Sequence, residues 1–182
     1  MHISTERLYL LNPSEVTAEA RLRYFKENFD YFKPFWPIRP PEMFTLPYIE
    51  QQLKQYWEDF QKDSKYRFFI AKKEAPQYII GSFEFSNIVL GPFRSCNLGY
   101  DLEPAAQGKG YMHEALLRAL DFIFSEKKLH RVEASVMPHN QKSIHVLERL
   151  GFEKIGLAKA YLNIYGNWED HIIFQKINAS LF

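Results

Sequence analysis

Cysteine is almost missing from this chain: Cys96 is the only one among 182 residues. No intrachain disulfide can form, and neither a CxxC redox pair nor a cysteine-cluster zinc site can be built. Long apolar runs are missing too. The longest unbroken stretch of apolar or aromatic residues is four, Leu8 to Leu11 or Phe68 to Ala71, far short of a membrane span. Met1-His2-Ile3-Ser4 does not open a signal peptide. These absences predict a cytosolic (cytoplasmic) globular protein with no membrane partner. Net charge is nearly cancelled, with 23 Lys and Arg against 22 Asp and Glu, which argues against nucleic-acid binding through the overall field. The histidines lack metal-binding spacing. His113-Glu114 is followed by Leu117 where HExxH needs a second His, so no metal is expected.

Aromatic residues are abundant: 16 Phe, 11 Tyr and 3 Trp. Half of them lie between Tyr24 and Phe69. Apolar residues make up 46% of the chain, enough for a packed core, and the length suits one domain over residues 1–182.

Hydrophobic periodicity predicts a β-α-α-β-β-β-α-β-α-β-β order. A strand over 6–11 precedes a helix capped by Ser14 and running to about Asn28. The Pro-rich stretch Lys33 to Pro41 excludes regular helix or central strand. Thr45 or Pro47 opens a second helix with the stripe Ile49, Leu53, Tyr56, Trp57 and Phe60. Strands are predicted over 67–72, 78–89 and 95–102, with a turn at Glu74-Ala75-Pro76. On the second of these, Ile79, Gly81, Phe83 and Phe85 are expected to share a face. A helix follows over 110–128, burying Met112, Ala115, Leu116, Ala119 and Ile123. Next come a strand over 131–136 and a helix capped by Asn140 and ended by Gly151. A final hairpin, 161–165 and 168–174, turns at Gly166-Asn167. Hairpin-linked strands pair antiparallel and helix-linked strands can pair in parallel, giving an α/β (α+β) domain with a mixed sheet.

Chemistry concentrates in Gln107-Gly108-Lys109-Gly110-Tyr111-Met112, between a strand and a helix. Two glycines allow a tight turn and a close approach to a ligand. The first N–H groups of the helix face outward at the positive end of its dipole, which suits a pyrophosphate. An unliganded glycine turn is the plain alternative. A Walker A loop does not fit, because Gly110 follows Lys109 where Ser or Thr is required. A dinucleotide fingerprint would need Gly at His113.

These residues resemble the acetyl-CoA loop of the GNAT acetyltransferase superfamily, Gln/Arg-x-x-Gly-x-Gly/Ala, with Met112 departing at the last position. Asn140-x-x-Ser143 through Leu150-Gly151-Phe152 resembles a second block of the bacterial ribosomal-protein-alanine N-acetyltransferase subgroup. So do the stretches 29–36, 85–89, 137–140 and 161–171, so that the similarity runs from about Thr5 to Ile177. The resemblance implies a GNAT fold: a mostly antiparallel sheet of seven strands with about four helices, splayed between the fourth and fifth strands (95–102 and 131–136). It places pantetheine against Leu98, Gly99 and Tyr100 and the pyrophosphate on Gln107, Gly108, Lys109, Gly110, Tyr111 and Met112. Asn140 and Ser143 would face the reactive end of acetyl-CoA.

Direct acetyl transfer to an amine needs a deprotonated amine, with a pKa near ~8 for an α-amino group. It also needs an oxyanion donor and a route for the leaving thiolate. Ser143 and Tyr100 are the acid candidates; Ser143 can equally serve its own helix as a cap. Glu133 is the leading base candidate, against an ordinary paired strand carboxylate. Glu84, Asp101, Glu103 and water are the other candidates. Phe35 and Trp36 are candidate substrate contacts.

The leading expectation is an Nα-acetyltransferase acting on the N-terminal Ala or Ser of a ribosomal protein, with ribosome association. A small-amine (polyamine or aminoglycoside) acetyltransferase and a non-catalytic ribosome assembly factor are the alternatives. The sequence leaves open monomer or homodimer, and whether Lys127 to Arg131 touches RNA or is a solvated helix end.

Overall fold

The structure, a computed structural model, describes residues 3–179. Met1 and His2, part of the segment read for a signal peptide, lie outside the described residues. The strands are β1 (Ile3–Ser4), β2 (Leu8–Leu11), β3 (Tyr66–Lys72), β4 (Ala75–Val89), β5 (Ser95–Leu102), β6 (Arg131–Val136), β7 (Glu153–Ile164) and β8 (Asn167–Ile177). The helices are α1 (Ala18–Phe32), α2 (Leu46–Gln61), α3 (Tyr111–Asp121) and α4 (Gln141–Arg149). None of the described helices is long and apolar enough to cross a membrane.

One sheet runs in the order β1-β2-β3-β4-β5-β6-β8-β7. All neighbours are antiparallel except β5 and β6, which are joined through α3 and pair in parallel. The sheet has eight strands, not seven. The extra one, β1, contributes only Ile3 and Ser4 opposite Leu10 and Tyr9, and two residues carry no readable period. Between β5 and β6 the ladder has three rungs, Ser95–Arg131, Cys96–Val132 and Asn97–Glu133. From Leu98 onward β5 keeps its β4 partners while β6 turns away, so the sheet splays where expected.

Alternation along β3 builds a core on each face. Tyr66, Phe68 and Ile70 join Phe83, Phe85, Leu116, Ile123 and Leu147 under α3 and α4. Phe69 joins Tyr24, Phe25, Phe32, Ile49 and Leu53 under α1 and α2. On α2, Ile49 and Leu53 are buried, whereas Tyr56, Trp57 and Phe60 are half-buried. Ile79 does not share a face with Phe83 and Phe85. Ile70 faces Gly81 while Ala71 faces Ile79, so Ile80 is a bulge residue. The bulge reverses the alternation and sends Ile79 to the α1/α2 core.

Several boundaries move for local reasons. Ser14 does not cap α1. It sits in a 3-10 turn, Pro13–Glu15, where Asn12 Oδ1 accepts from its N–H and Glu15 Oε2 accepts from Asn12 N–H. Thr17 Oγ1 caps α1 by accepting from Ala20 N–H, and the helix runs on to Phe32, just before Pro34. The Pro-rich segment folds into two 3-10 turns, Lys33–Phe35 and Pro41–Phe44, with proline in the first turn where no donor is needed. The helix expected to reach Lys128 leaves α geometry at Asp121 and continues as a wide π-type turn, Phe122–Glu126. That turn buries both Phe122 and Ile123. The β3–β4 turn falls at Lys73-Glu74, since Lys72 faces Ala75. The last hairpin turns at Tyr165-Gly166, not Gly166-Asn167. Both residues have positive φ, 45° and 92°, as a type I′ turn requires, and Asn163 Oδ1 accepts from Gly166 N–H.

Candidate active site

The splay opens into a cavity of about 1020 Å³. One side is made by β5 and the starts of α3 and α4; the other by α1, α2 and the Pro-rich segment. Leu98, Gly99 and Tyr100 line it, so the unpaired edge of β5 is presented to a ligand.

The loop before α3 is shaped by two left-handed glycines, Gly108 at φ 74° and Gly110 at φ 79°. Gly110 is the N-cap and brings no side-chain cap. Glu114 N–H makes the first helical bond, to Gly110 O, leaving the amides of Tyr111, Met112 and His113 as the orphan donors of the helix start. A Cβ at Gly108 would stand in open space, so a bulky anion has room above it. Gln107 fixes the loop by donating from Nε2 to Leu102 O, and Lys142 Nζ donates to its Oε1. Lys109 turns back, donating from Nζ to Ala105 O, and is absent from the cavity wall. Behind the helix start, Glu114 accepts from Thr5 Oγ1 and from Arg7. Burial opposes its charge, but these bonds outweigh burial and hold the carboxyl below its usual range. Glu114 is a structural strut.

Asn140 caps α4, its Oδ1 accepting from Ser143 N–H at 3.3 Å. Ser143 is therefore both a helix N3 residue and a site residue. Its Oγ lies 2.7 Å from the Tyr100 hydroxyl, which also donates to Ser143 O at 3.1 Å. Burial raises the Tyr100 pKa above its ordinary value, against the hydrogen bond to Ser143. Tyr100 is thus a neutral O–H at physiological pH, coupled to a serine hydroxyl at the mouth of the splay.

Glu133 is not brought to this place. It is on β6 opposite Asn97, inside the paired part of the ladder. Its Oε1 is held by Arg131 Nη2 at 2.6 Å, and it does not line the cavity. Cys96 is buried in the α3/α4 core, where desolvation pushes its thiol up to about 12, and is no nucleophile. Phe35 and Trp36 both line the far wall. Trp36 stacks on Phe32 at 4.9 Å and meets Phe25 edge-on at 5.6 Å. Its carbonyl accepts from Tyr165 N–H, tying the Pro-rich segment to the β7–β8 hairpin. Phe35 lies 6.1 Å from His139, just ahead of α4.

Glu84 and Asp101, expected from the sequence only as separate base candidates, belong to a row of charge on the α1/α2 face that the sequence does not announce. The register sets Arg67, Glu84 and Gly99 side by side on β3, β4 and β5, with Ser82 and Asp101 in the next row. Arg67 is bonded to Glu84 through Nε at 2.9 Å and Nη2 at 2.8 Å, and donates to Ser82 Oγ. Asp101 accepts from Tyr24 O–H at 2.6 Å and Ser82 O–H at 2.9 Å. Burial alone would depress Arg67, but Tyr56, Glu84 and Asp101 outweigh it and raise its pKa. Arg21 of α1 lines the same wall. Its signal was legible: the buried positions of α1 include Ala18, Arg21, Tyr24, Phe25, Asn28 and Phe32, and a cation on that stripe is out of place.

The acetyltransferase (GNAT) domain family matches this chain over residues 7–153. A probable N-acetyltransferase of Bacillus subtilis (strain 168), YjcK, is 38% identical over 169 residues, spanning 92% of this chain and 93% of its own. The ribosomal protein uS5-alanine N-acetyltransferase of Escherichia coli (strain K12) is 37% identical over 173 residues, spanning 95% of this chain and 89% of its own. Among solved structures, the ribosomal-protein-S5-alanine acetyltransferase of Vibrio fischeri matches with a TM-score of 0.91 at 36% identity, covering 98% of this chain and 97% of that one.

Proposed function

Because this chain belongs to the GNAT family of acetyltransferases, we propose that it transfers acetyl from acetyl-CoA to the N-terminal amine, on Ala or Ser, of a ribosomal protein. The observation that carries this reading is the extent of the likeness to the uS5-alanine enzyme. At 95% of the chain it must take in the aromatic acceptor wall as well as the glycine loop.

Acetyl-CoA supplies an activated thioester. The amides of Tyr111, Met112 and His113, opened by Gly108 and Gly110, receive its pyrophosphate at the positive end of α3. Gln107 anchors that loop, and Lys109 contributes only backbone. Leu98, Gly99 and Tyr100 offer the free edge of β5 to pantetheine, and a β5 amide serves as oxyanion donor. Asn140 holds the α4 start that positions Ser143. The acceptor enters on the α1/α2 side, between Phe35, Trp36 and the carboxylates of Glu84 and Asp101. Its α-amine has a pKa near ~8 and loses its proton to water with little help; Glu133, tied to Arg131, takes no part. The Tyr100–Ser143 hydroxyl pair passes a proton to the leaving thiolate and regains one, through water, from the nitrogen that becomes the amide.

The reading is tested by following thiol release from acetyl-CoA with an Ala-starting peptide, a Ser-starting peptide, spermidine and kanamycin. Turnover with the peptides and not with the amines is expected. The reverse would make this a small-amine acetyltransferase. Absence of both turnover and acetyl-CoA binding would make it a binding factor.

Tyr100→Phe tests the acid. A thiolate with a pKa near ~8.5 leaves without full protonation, so kcat should fall about 10- to 100-fold while KM for acetyl-CoA stays within about threefold. An unaltered kcat would reduce Tyr100 to a support for Ser143.

A further inference from the structure

The wall that faces the acceptor contains a charge with no use in the chemistry above. Arg21 is only 2% exposed, yet it borders the cavity. Its Nε and Nη1 are buried and find no hydrogen-bond partner. The guanidinium lies over the Phe25 ring at 3.8 Å and the Phe69 ring at 5.0 Å. Aromatic faces replace only part of the lost water. The nearby anions are already engaged, Glu84 by Arg67 and Asp101 by Tyr24 and Ser82. Gln52 Oε1, in the same wall, is likewise buried without a partner. A core that only needed filling would carry an apolar side chain here, since a buried cation with idle donors is costly until an anion arrives.

We propose that Arg21 receives a carboxylate side chain at the second, third or fourth residue of the acceptor peptide, so that the enzyme selects acidic N-terminal segments. The inference rests on the Nα-acetylation reading and names its substrate class. Charge balance supports it. Arg21, Arg39, Arg67, Lys142 and Arg149 line the cavity against Glu84 and Asp101, so it offers both signs with cations in excess. A segment with an N-terminal ammonium and one nearby carboxylate matches it, and a polycation does not. Reach supports it as well. Arg21 sits over Phe69, which is two strands from Asp101 in the same row, or about 10 Å at the usual strand spacing. An extended acceptor covers that in about three residues. Burial and the neighbouring Arg67 lower Arg21 to about 10, so it stays charged at neutral pH, and an incoming carboxylate offsets the repulsion between the two arginines.

The test compares Ala-starting hexapeptides carrying Glu at position 2, 3 or 4 with the same peptides carrying Gln there. With the unmodified enzyme, at least one Glu peptide should exceed its Gln partner in kcat/KM by about 10- to 100-fold, the effect of a hydrogen-bonded charge. In Arg21→Met that ratio should fall to about one. Equal turnover of every Glu and Gln pair by the unmodified enzyme would overturn the inference while leaving Nα-acetylation standing. A preference that survives Arg21→Met would also overturn it, by placing carboxylate recognition elsewhere. Turnover of spermidine with no peptide acetylated would remove the Nα-acetylation reading, and this inference with it. The peptide comparison needs no variant, so a poorly folding Arg21→Met does not block the test.

Discussion

Gly110→Asp is expected to weaken acetyl-CoA binding by about 100- to 1000-fold, and Gly110→Asn by far less. Gly110 holds φ at 79°, a left-handed conformation that costs an L-residue about 1–2 kcal/mol. Asn and Asp bear that cost alike, so the difference between the two variants isolates charge. A carboxylate about 4 Å from a phosphate charge in a partly buried setting is unfavourable by about 4 kcal/mol, and each 1.4 kcal/mol is about tenfold in affinity. Arg7 tempers the effect. Its Nη2 would lie 3.5 Å from the new Cβ and can draw the carboxylate aside, though it is already paired with Glu114. Calorimetric titration with acetyl-CoA measures all three proteins. Equal affinities for the Asp and Asn variants would mean that the α3 start does not hold the pyrophosphate.

That loop was legible because its signal is local. Glycines at fixed offsets between a strand and a helix mean the same thing wherever the chain goes next, and both have the positive φ that such a turn demands. Asn140 and Gly151 were legible for the same reason, as the two ends of one short helix. The charges that β3, β4 and β5 bring to the α1/α2 wall were not, because register assembles them. Nothing near Arg67 in sequence announces Glu84 or Gly99; the three meet because β3, β4 and β5 pair as they do. The bulge at Ile80 is a case of the same kind, decided by how β3 and β4 close on each other and not by local alternation. Glu133 failed in the opposite direction. Its strand was predicted with the right ends, but the splay begins only beyond the rung it makes with Asn97. A carboxylate two residues from Arg131 then found that cation instead of the cleft. The aromatic excess divides accordingly. Tyr24, Phe68 and Phe69 are core, Phe25 and Phe32 are buried and also line the cavity, and Phe35, Trp36, Tyr48 and Tyr56 border it with less cover.

Phe68→Ala is expected to cost about 3–5 kcal/mol of stability and to lower the melting temperature by on the order of 10 °C. Phe68 is 1% exposed. It stacks on Phe83 at 5.1 Å and meets Phe60 and Phe122 edge-on at 5.3 and 5.5 Å, contacts that add to simple burial. Phe122 belongs to the wide turn after α3, so one truncation undermines the sheet and the end of the helix together. Phe93→Ala removes a ring that is 69% exposed and should stay within about 0.5 kcal/mol of the parent. Denaturant unfolding followed by tryptophan fluorescence compares the two; a loss below about 1 kcal/mol at Phe68 would contradict its packing. The consequence for catalysis follows from the register. Phe68 faces Phe83, and Phe83 faces Tyr100, so a void under Phe83 loosens the strand that holds the Tyr100 hydroxyl against Ser143. The glycine loop, residues 107–110, follows the end of β5 but has braces of its own, from Gln107 Nε2 to Leu102 O and from Arg7 Nη1 to Lys109 O. Below its melting temperature, Phe68→Ala should therefore lose kcat while acetyl-CoA affinity changes less. Equal losses in both would mean that the core supports the loop as directly as it supports the hydroxyl pair.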